Sequence, residues 1–220
     1  MSLNGSPAPR ARRLGLIVLM LGAVCIGIMP NAAKLAYGEG VSPLGLLVLR
    51  SAIGAIGLAL FLWARREKLL VPRKLVPKTA AAGVALLMAA GGGMGAVAYI
   101  DVTVASVIFF TYPIFVAVVN HVRGTTRLSL AEIILIALAF VGVALALGLR
   151  RESLDQLNYT GLGLALLSSV GITTVILTTT ATTAALGTVR ANLHMNLWGV
   201  VYFIALALAL PALGLAGESV

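Results

Sequence analysis

The chain has 220 residues, of which 60% are hydrophobic and only 10% are charged, and its net charge is +9. Soluble domains are about half apolar and a quarter charged, so a soluble fold of this size could not bury so much apolar surface. The positive charge does not indicate nucleic-acid binding, because the basic residues flank apolar segments and form no basic face beside stacking aromatic residues. Composition therefore predicts a membrane-embedded protein.

Seven long apolar stretches follow one another along the chain. About 20 apolar residues, each rising about 1.5 Å, cross a hydrocarbon core about 30 Å thick. Strands of a membrane barrel are about 10 residues long and alternate in polarity, so these longer runs predict helices. The predicted fold class is an all-α integral membrane protein with seven transmembrane helices. The predicted spans are residues 14–35, 43–63, 79–98, 102–120, 130–149, 162–186 and 193–215.

Basic residues lie mostly in every second gap between these spans. Lys and Arg in short loops are retained in the cytoplasm, so we expect a multi-pass protein of the inner (plasma) membrane whose N-terminal segment, residues 1–13, is cytoplasmic. Three arginines before an apolar run also resemble a signal peptide, but the run is long and lacks a clear cleavage site, which favours a retained helix. The basic side collects Arg10, Arg12, Arg13, Arg65, Arg66, Lys68, Arg73, Lys74, Lys78, Arg123, Arg127 and Arg190.

The first and second predicted helices carry polar residues near their outer ends. Pro30 removes a backbone N–H and predicts a kink in the first helix. Asn31 and Lys34 lie one turn apart beside it and line a cavity, unless Lys34 anchors the helix at the membrane surface. Arg50 lies seven residues after Pro43, roughly 10 Å from the outer surface. Its guanidinium either binds a carboxylate or phosphate, or has a structural role in which it snorkels outward or ties helices together through backbone carbonyls.

The third predicted helix contains a glycine-rich run at residues 91–95. It lacks the Lys-Ser/Thr pair that follows the glycines of a phosphate loop. Gly91 and Gly95 form a GxxxG pair, which predicts close helix packing; the alternative is a kink that lines a cavity.

The fourth predicted helix carries aromatic residues beside a proline. Pro113 removes a mid-helix hydrogen bond and frees carbonyls near Phe109 for a solute, water or a neighbouring hydroxyl. Phe109 and Tyr112 either form the wall of a small-metabolite pocket or pack against other helices. Tyr99 and Asp101 stand at the short outer turn before this helix. Asp101 either caps the helix or pairs with one of the two outer cations as a gate.

The sixth predicted helix is rich in hydroxyl groups. Ser169, Thr173 and Thr180 share one face at spacings of four and seven residues and could line a polar path. A threonine can also bond to the carbonyl of its own preceding turn and face lipid.

The motifs of enzymes and metal sites are missing from this sequence. Cys25 is the single cysteine, and no CxxC pair, HExxH motif or nucleophile–base pair occurs. We therefore expect no enzymatic activity, no cofactor and no metal. No carboxylate lies near the middle of a span, so a carboxylate proton relay is not supported.

Two stretches resemble an EamA-type repeat of the drug/metabolite transporter superfamily. The first runs from Asn31-Ala-Ala-Lys34 through Ser42-Pro43 to Leu49-Arg50. The second is Ala98-Tyr-Ile-Asp-Val-Thr-Val-Ala-Ser-Val-Ile-Phe-Phe-Thr-Tyr-Pro113-Ile-Phe-Val, followed by Arg127-Leu-Ser129. The resemblance implies a five-helix repeat over residues 14–149 and the start of a second, inverted repeat over residues 150–220. A shift of 146 residues aligns the two units weakly, with Arg50 on Asn196.

What the resemblance implies is a permease or exporter of small polar metabolites, such as amino acids or related compounds, that works by alternating access. The full family fold has ten helices and would need about 310 residues at the spacing of spans seen here, so three helices are expected to be missing. The alternative is a non-transporting membrane scaffold, or a half-transporter that needs a homodimer or a partner half. The predicted partners are therefore a small-molecule substrate and the lipid bilayer, without nucleic acid.

Overall fold

The computed structural model of the protein describes residues 9–125, 129–146 and 158–212, which form helices joined by short connections. Its helices are α1 (Pro9–Gly38), α2 (Pro43–Ala64), α3 (Val76–Leu86), α4 (Gly92–Val97), α5 (Val102–Phe109), α6 (Tyr112–Val122), α7 (Leu130–Ala146), α8 (Tyr159–Leu186) and α9 (Thr188–Ala212). A 3₁₀ turn, Arg73–Leu75, precedes α3, and a π-helical segment, Leu87–Gly91, joins α3 to α4. The all-α prediction is confirmed.

Six helices of the described ranges are long and apolar enough to cross a membrane, and residues 130–142 form a shorter apolar helix. The predicted fifth span, 130–149, continues into residues outside the described ranges, as does the end of the seventh, 193–215. The seventh helix also begins earlier than predicted, at Thr188. Arg190, which we predicted to lie in a loop, therefore lies within the first turn of α9.

The helix ends fall into two groups on opposite sides of the protein. On one side, the turn after α4 meets the start of α8, where a Cβ on Gly161 would lie 2.6 Å from the Ile100 side chain. On the other side, the connection after α2 meets the start of α9, where His194 Nε2 lies 2.9 Å from the Leu69 carbonyl oxygen. We call these the outer face and the basic face. The alternation is the one that the basic residues predict.

A seam of small residues joins α3, the π segment and α4 to α8 and α9. A Cβ on Gly92 would lie 2.5 Å from the Leu164 carbonyl oxygen and 2.7 Å from the Ser168 nitrogen, and one on Gly171 would clash with Ala89. Only glycine permits backbones to approach this closely. The predicted close packing is confirmed, but Gly92 rather than Gly91 or Gly95 makes the backbone contact.

The helices α2 and α9 pack antiparallel beside this seam. Ser51 lies opposite Gly199, and Gly54 lies opposite Asn196. Further toward the basic face, Ala55, Leu62 and Leu193 form one buried apolar cluster. The central helices thus enclose the core, while α1 and α7 lie at the periphery.

Candidate functional site

The fourth span is broken near its middle. The helix α5 ends at Phe109 and α6 begins at Tyr112. Pro113 has no N–H, so the Phe109 carbonyl lacks the donor that an unbroken helix would supply. The break is nine residues from Val102 and eleven from Val122, which places it about 15 Å from either end of the span and hence near the centre of the bilayer.

Two hydroxyl groups of α8 meet this break. Thr111 Oγ1 donates to the Ile108 carbonyl oxygen at 2.7 Å and lies 2.9 Å from Ser169 Oγ. A threonine hydroxyl has one hydrogen, so Ser169 is the donor in the bond to Thr111. One turn further, Thr173 Oγ1 lies 2.8 Å from the Ser169 carbonyl oxygen and 3.4 Å from that of Tyr112. The network joins both sides of the break to α8.

The hydroxyl network is closed in this structure. Ser169 is completely buried and Thr173 is 5% exposed. Burying hydroxyl groups is costly unless they are bonded, and here each has a partner. Thr180, predicted on the same face of α8, is exposed and bonds to Ile176 of its own helix, so the polar path ends at Thr173.

Aromatic rings cover the break on one side. The ring centroids of Phe109 and Phe110 are 5.5 Å apart in an edge-to-face arrangement, and Phe109 lies 5.5 Å from Tyr112. Phe109 and Tyr112 are half-buried. These rings and the nearby carbonyls offer an apolar surface with a few polar groups, which suits a small organic solute.

Three residues predicted to bind a solute, Asn31, Arg50 and Tyr99, make no hydrogen bond with the hydroxyl network at the break. Asn31 and Arg50 are exposed and have no hydrogen-bond or ion-pair partner among the described residues. The helix α1 continues through Pro30 without interruption. Tyr99 is 47% exposed at the outer turn, where its Cβ faces Gly161. Their role in solute binding stays a prediction.

An ion pair links two elements at the outer face. Lys34 Nζ lies 3.9 Å from Asp101 Oδ2, with 51% and 41% of the two side chains exposed. Asp101 Oδ1 also accepts a hydrogen bond of 2.8 Å from the Thr103 N–H and so caps α5. Asp101 therefore both caps α5 and pairs with Lys34, the two alternatives that the sequence left open.

Sequence analysis did not single out two polar side chains near these residues, Tyr37 and Ser51. The Tyr37 hydroxyl donates to the Met94 carbonyl oxygen at 3.0 Å and connects α1 to α4. Ser51 follows Arg50 in α2 and is fully buried, and its hydroxyl has no partner among the described residues. Tyr37 lies one turn after Lys34, and this spacing is the one signal that could have indicated its position.

The six long apolar helices indicate a multi-pass membrane protein, and the broken fourth span, with its hydroxyl groups and aromatic rings, is the candidate site. The family model of the EamA-like transporter family matches residues 13–148, and the chain belongs to this family. No curated protein and no solved structure matches the chain. The family is one of membrane transporters of the drug/metabolite transporter superfamily rather than of enzymes.

Proposed function

We propose that the protein moves a small polar metabolite, such as an amino acid or a related compound, across the membrane by alternating access. The observation that carries this proposal is the break at Phe110–Thr111, where hydroxyl and carbonyl groups meet at mid-membrane. Irregular backbone is tolerated at this depth where it is buried in protein or lines a polar cavity. Transporters use such discontinuous helices to bind their solutes.

The network contains hydroxyl groups that can donate hydrogen bonds to a solute and carbonyl groups that can accept them. In the closed arrangement, Ser169 donates to Thr111 and Thr173 donates to backbone carbonyls. A solute with amino, amide or hydroxyl groups would replace these bonds as the helices separate, so that no buried hydroxyl is left without a partner. Phe109 and Tyr112 would cover its apolar part. This pattern favours small zwitterionic or polar metabolites over large apolar compounds.

The two halves of the fourth span supply a hinge for access from alternate sides. The helix α5 begins at the outer turn, and α6 ends at the basic face. A span that lacks continuous hydrogen bonds at its centre allows one half to tilt without the other. The pair Lys34–Asp101 would then close the outer side and break as that side opens.

Arg50 is our proposed anchor for an anionic group of the solute. It lies about 10 Å from the outer end of α2, on the outer side of the break. A guanidinium can bind a carboxylate through two parallel hydrogen bonds. Asn31 lies at a comparable distance from the outer end of α1. Arg50→Lys keeps the charge but removes the paired donors, so a specific role predicts a loss of transport in this variant.

The helices α8 and α9 support the proposal of a second, inverted unit. Adding 146 to the bounds of α2 gives residues 189–210, and α9 spans residues 188–212. The same shift carries α1 to residues 155–184, and α8 spans residues 159–186. The antiparallel packing of α2 on α9 is what an axis in the membrane plane would produce.

We propose that the basic face is cytoplasmic, with the N-terminus on that side, because short loops rich in Lys and Arg are retained there. Replacing Cys25 by serine leaves a chain without cysteine, to which single cysteines are added. Glu39→Cys should react with a membrane-impermeant maleimide in whole cells, and Lys68→Cys only after the cells are opened. The reverse pattern would invert the proposed orientation.

Flux of labelled amino acids into proteoliposomes tests the transport proposal. We expect uptake to fall by about tenfold or more when both Ser169 and Thr173 are replaced by alanine, because lost hydrogen bonds to a polar solute carry such a factor. Thr180→Ala, which removes an exposed hydroxyl from the same helix, should leave uptake unchanged. A folded protein that moves none of the tested metabolites would contradict the proposal and favour the scaffold or half-transporter alternative.

A further inference from the structure

An apolar groove opens at the basic face, away from the broken helix. Its volume is about 220 Å³. The walls come from α2, from the connection after α2 and from α9, and they are almost entirely hydrocarbon. The residues that line this groove are Ala55, Ile56, Ala59, Leu69, Leu70, Leu193, His194 and Leu197.

The groove begins near the membrane surface and reaches into the membrane. Ala59 and Leu193 lie five residues from the basic-face ends of their helices, or about 7 Å, and Ala55 lies about 13 Å from the end of α2. Such a depth corresponds to the upper part of a lipid acyl chain. The His194 ring bonds to the Leu69 carbonyl and holds the connection against α9, so the wall is fixed in place.

The mouth of the groove is strongly basic. Residues 65–78 contain six basic residues and one acidic residue, Glu67. Arg65 is held over the Phe61 ring at 5.2 Å. Arg66 has a φ of 54°, a conformation that glycine would adopt at lower cost. This positive φ ends α2, because the Arg66 N–H bonds to the Trp63 carbonyl oxygen and the Glu67 N–H bonds to that of Leu62.

Arg190 adds a cation from the opposite wall. It precedes His194 and Leu197 by four and seven residues, so the three share one face of α9, and Arg190 lies one turn nearer to the surface. Its Nε is buried and has no hydrogen-bond partner among the described residues. The other guanidinium nitrogens of Arg190 carry charge-assisted donors that a phosphate oxygen can accept.

We propose that this groove binds an anionic phospholipid, with an acyl chain along the apolar walls and the phosphate between Arg190 and the basic connection. The charge at the mouth requires an anionic headgroup, and the apolar depth requires a hydrocarbon chain. The site is separate from the proposed solute site at the break. Its test measures lipid binding and does not depend on transport.

Native mass spectrometry of the detergent-purified protein can test this proposal with two lipids of identical chains, dioleoyl phosphatidylglycerol and dioleoyl phosphatidylcholine. We expect the protein to retain about fivefold more phosphatidylglycerol than phosphatidylcholine. This preference should fall about fivefold in Arg190→Gln and in Lys68→Gln. Lys68 lies in an exposed connection, so its replacement tests the site even if Arg190→Gln unfolds the protein.

Two matched controls separate this site from general surface attraction. Arg123→Gln removes the same charge from the same face at the end of α6, away from the groove, and should leave retention unchanged. Ala59→Phe fills the groove without a change of charge and should abolish retention, while Gly57→Leu adds volume to an open side of α2 and should not. Equal retention of both lipids, an equal effect of Arg123→Gln, or full retention in Ala59→Phe would overturn the proposal.

Discussion

The seam between the third span and α8 differs sharply from the peripheral helices α1 and α7. At the seam, glycine brings backbones into contact, and Ser168 Oγ donates to the Ala89 carbonyl oxygen at 2.6 Å. In α1, Ala33 is the one buried side chain among those described, and Gly15, Gly22 and Gly27 have nothing within 4 Å of an added Cβ. Glycine therefore marks a close helix contact at the seam but no helix contact in α1.

This difference indicates where the stability of the protein resides. In a membrane, apolar side chains gain little by leaving lipid for protein, so association depends on close packing and on interhelical hydrogen bonds. The seam has both. The exposed apolar sides of α1 and α7 suit contact with lipid. The glycines of these helices make no close helix contact within the described residues.

Adding one methyl group to the seam should have the largest effect. Gly92→Ala places a Cβ against the Leu164 and Ser168 backbones, which cannot yield as a flexible side chain would. We expect a loss of about 1–3 kcal/mol in the free energy of unfolding, near the upper end of that range. Unfolding by SDS titration in mixed micelles measures it. Gly22→Ala in α1 should stay within about 0.5 kcal/mol, and equal losses in both variants would refute the distinction between the two regions.

Removing the interhelical hydroxyl at the seam should have a smaller effect. Ser168→Ala deletes the bond to Ala89 and leaves a carbonyl of the π segment without this donor. We expect a loss of about 1 kcal/mol in the same titration. Thr180→Ala removes a hydroxyl that bonds within its own helix and should change stability much less. If Thr180→Ala proved as costly, the seam would have no special role.

The outer ion pair connects the periphery to the centre and should matter least for stability. Asp101→Asn keeps the cap of α5 but removes the charge that faces Lys34. We expect a loss of about 0.5 kcal/mol or less, because both side chains are substantially exposed. Asp101→Ala also removes the cap and should lose about 1 kcal/mol more. Thermal unfolding followed by tryptophan fluorescence can compare the two variants; equal losses would mean that the cap contributes nothing.

Hydropathy predicted most helix bounds within a few residues because length and apolarity are properties of the chain itself. Two helices start five residues before their predicted spans, α1 at Pro9 and α9 at Thr188. The start of α9 has a clear cause. Arg190 and Asn192 make its first turns polar, so a search for apolar runs passed over them. The helix forms there regardless, since Gly187, with a φ of 78°, ends α8 directly before it.

The candidate site was predicted in part. Pro113 indicated the break because a proline inside a helix removes one backbone hydrogen bond, although Pro30 does so within α1 without interrupting that helix. The pairing of Thr111 with Ser169, 58 residues apart, could not be predicted, since periodicity shows which face of a helix is polar but not which helix it meets. Arg50 shows the converse: its residue type suggested a partner, and the described residues provide none.

The π segment Leu87–Gly91 changes the phase of the third span. A wider turn at this point rotates the residues that follow it relative to those before. Before it, Gly83 faces Trp198 of α9; after it, Gly92 faces Leu164 and Ser168 of α8. In an unbroken α-helix of about 100° per residue, the nine steps from Gly83 to Gly92 would place the two glycines about 180° apart. The wider π turn reduces this angle, so the span contacts α9 before the segment and α8 after it.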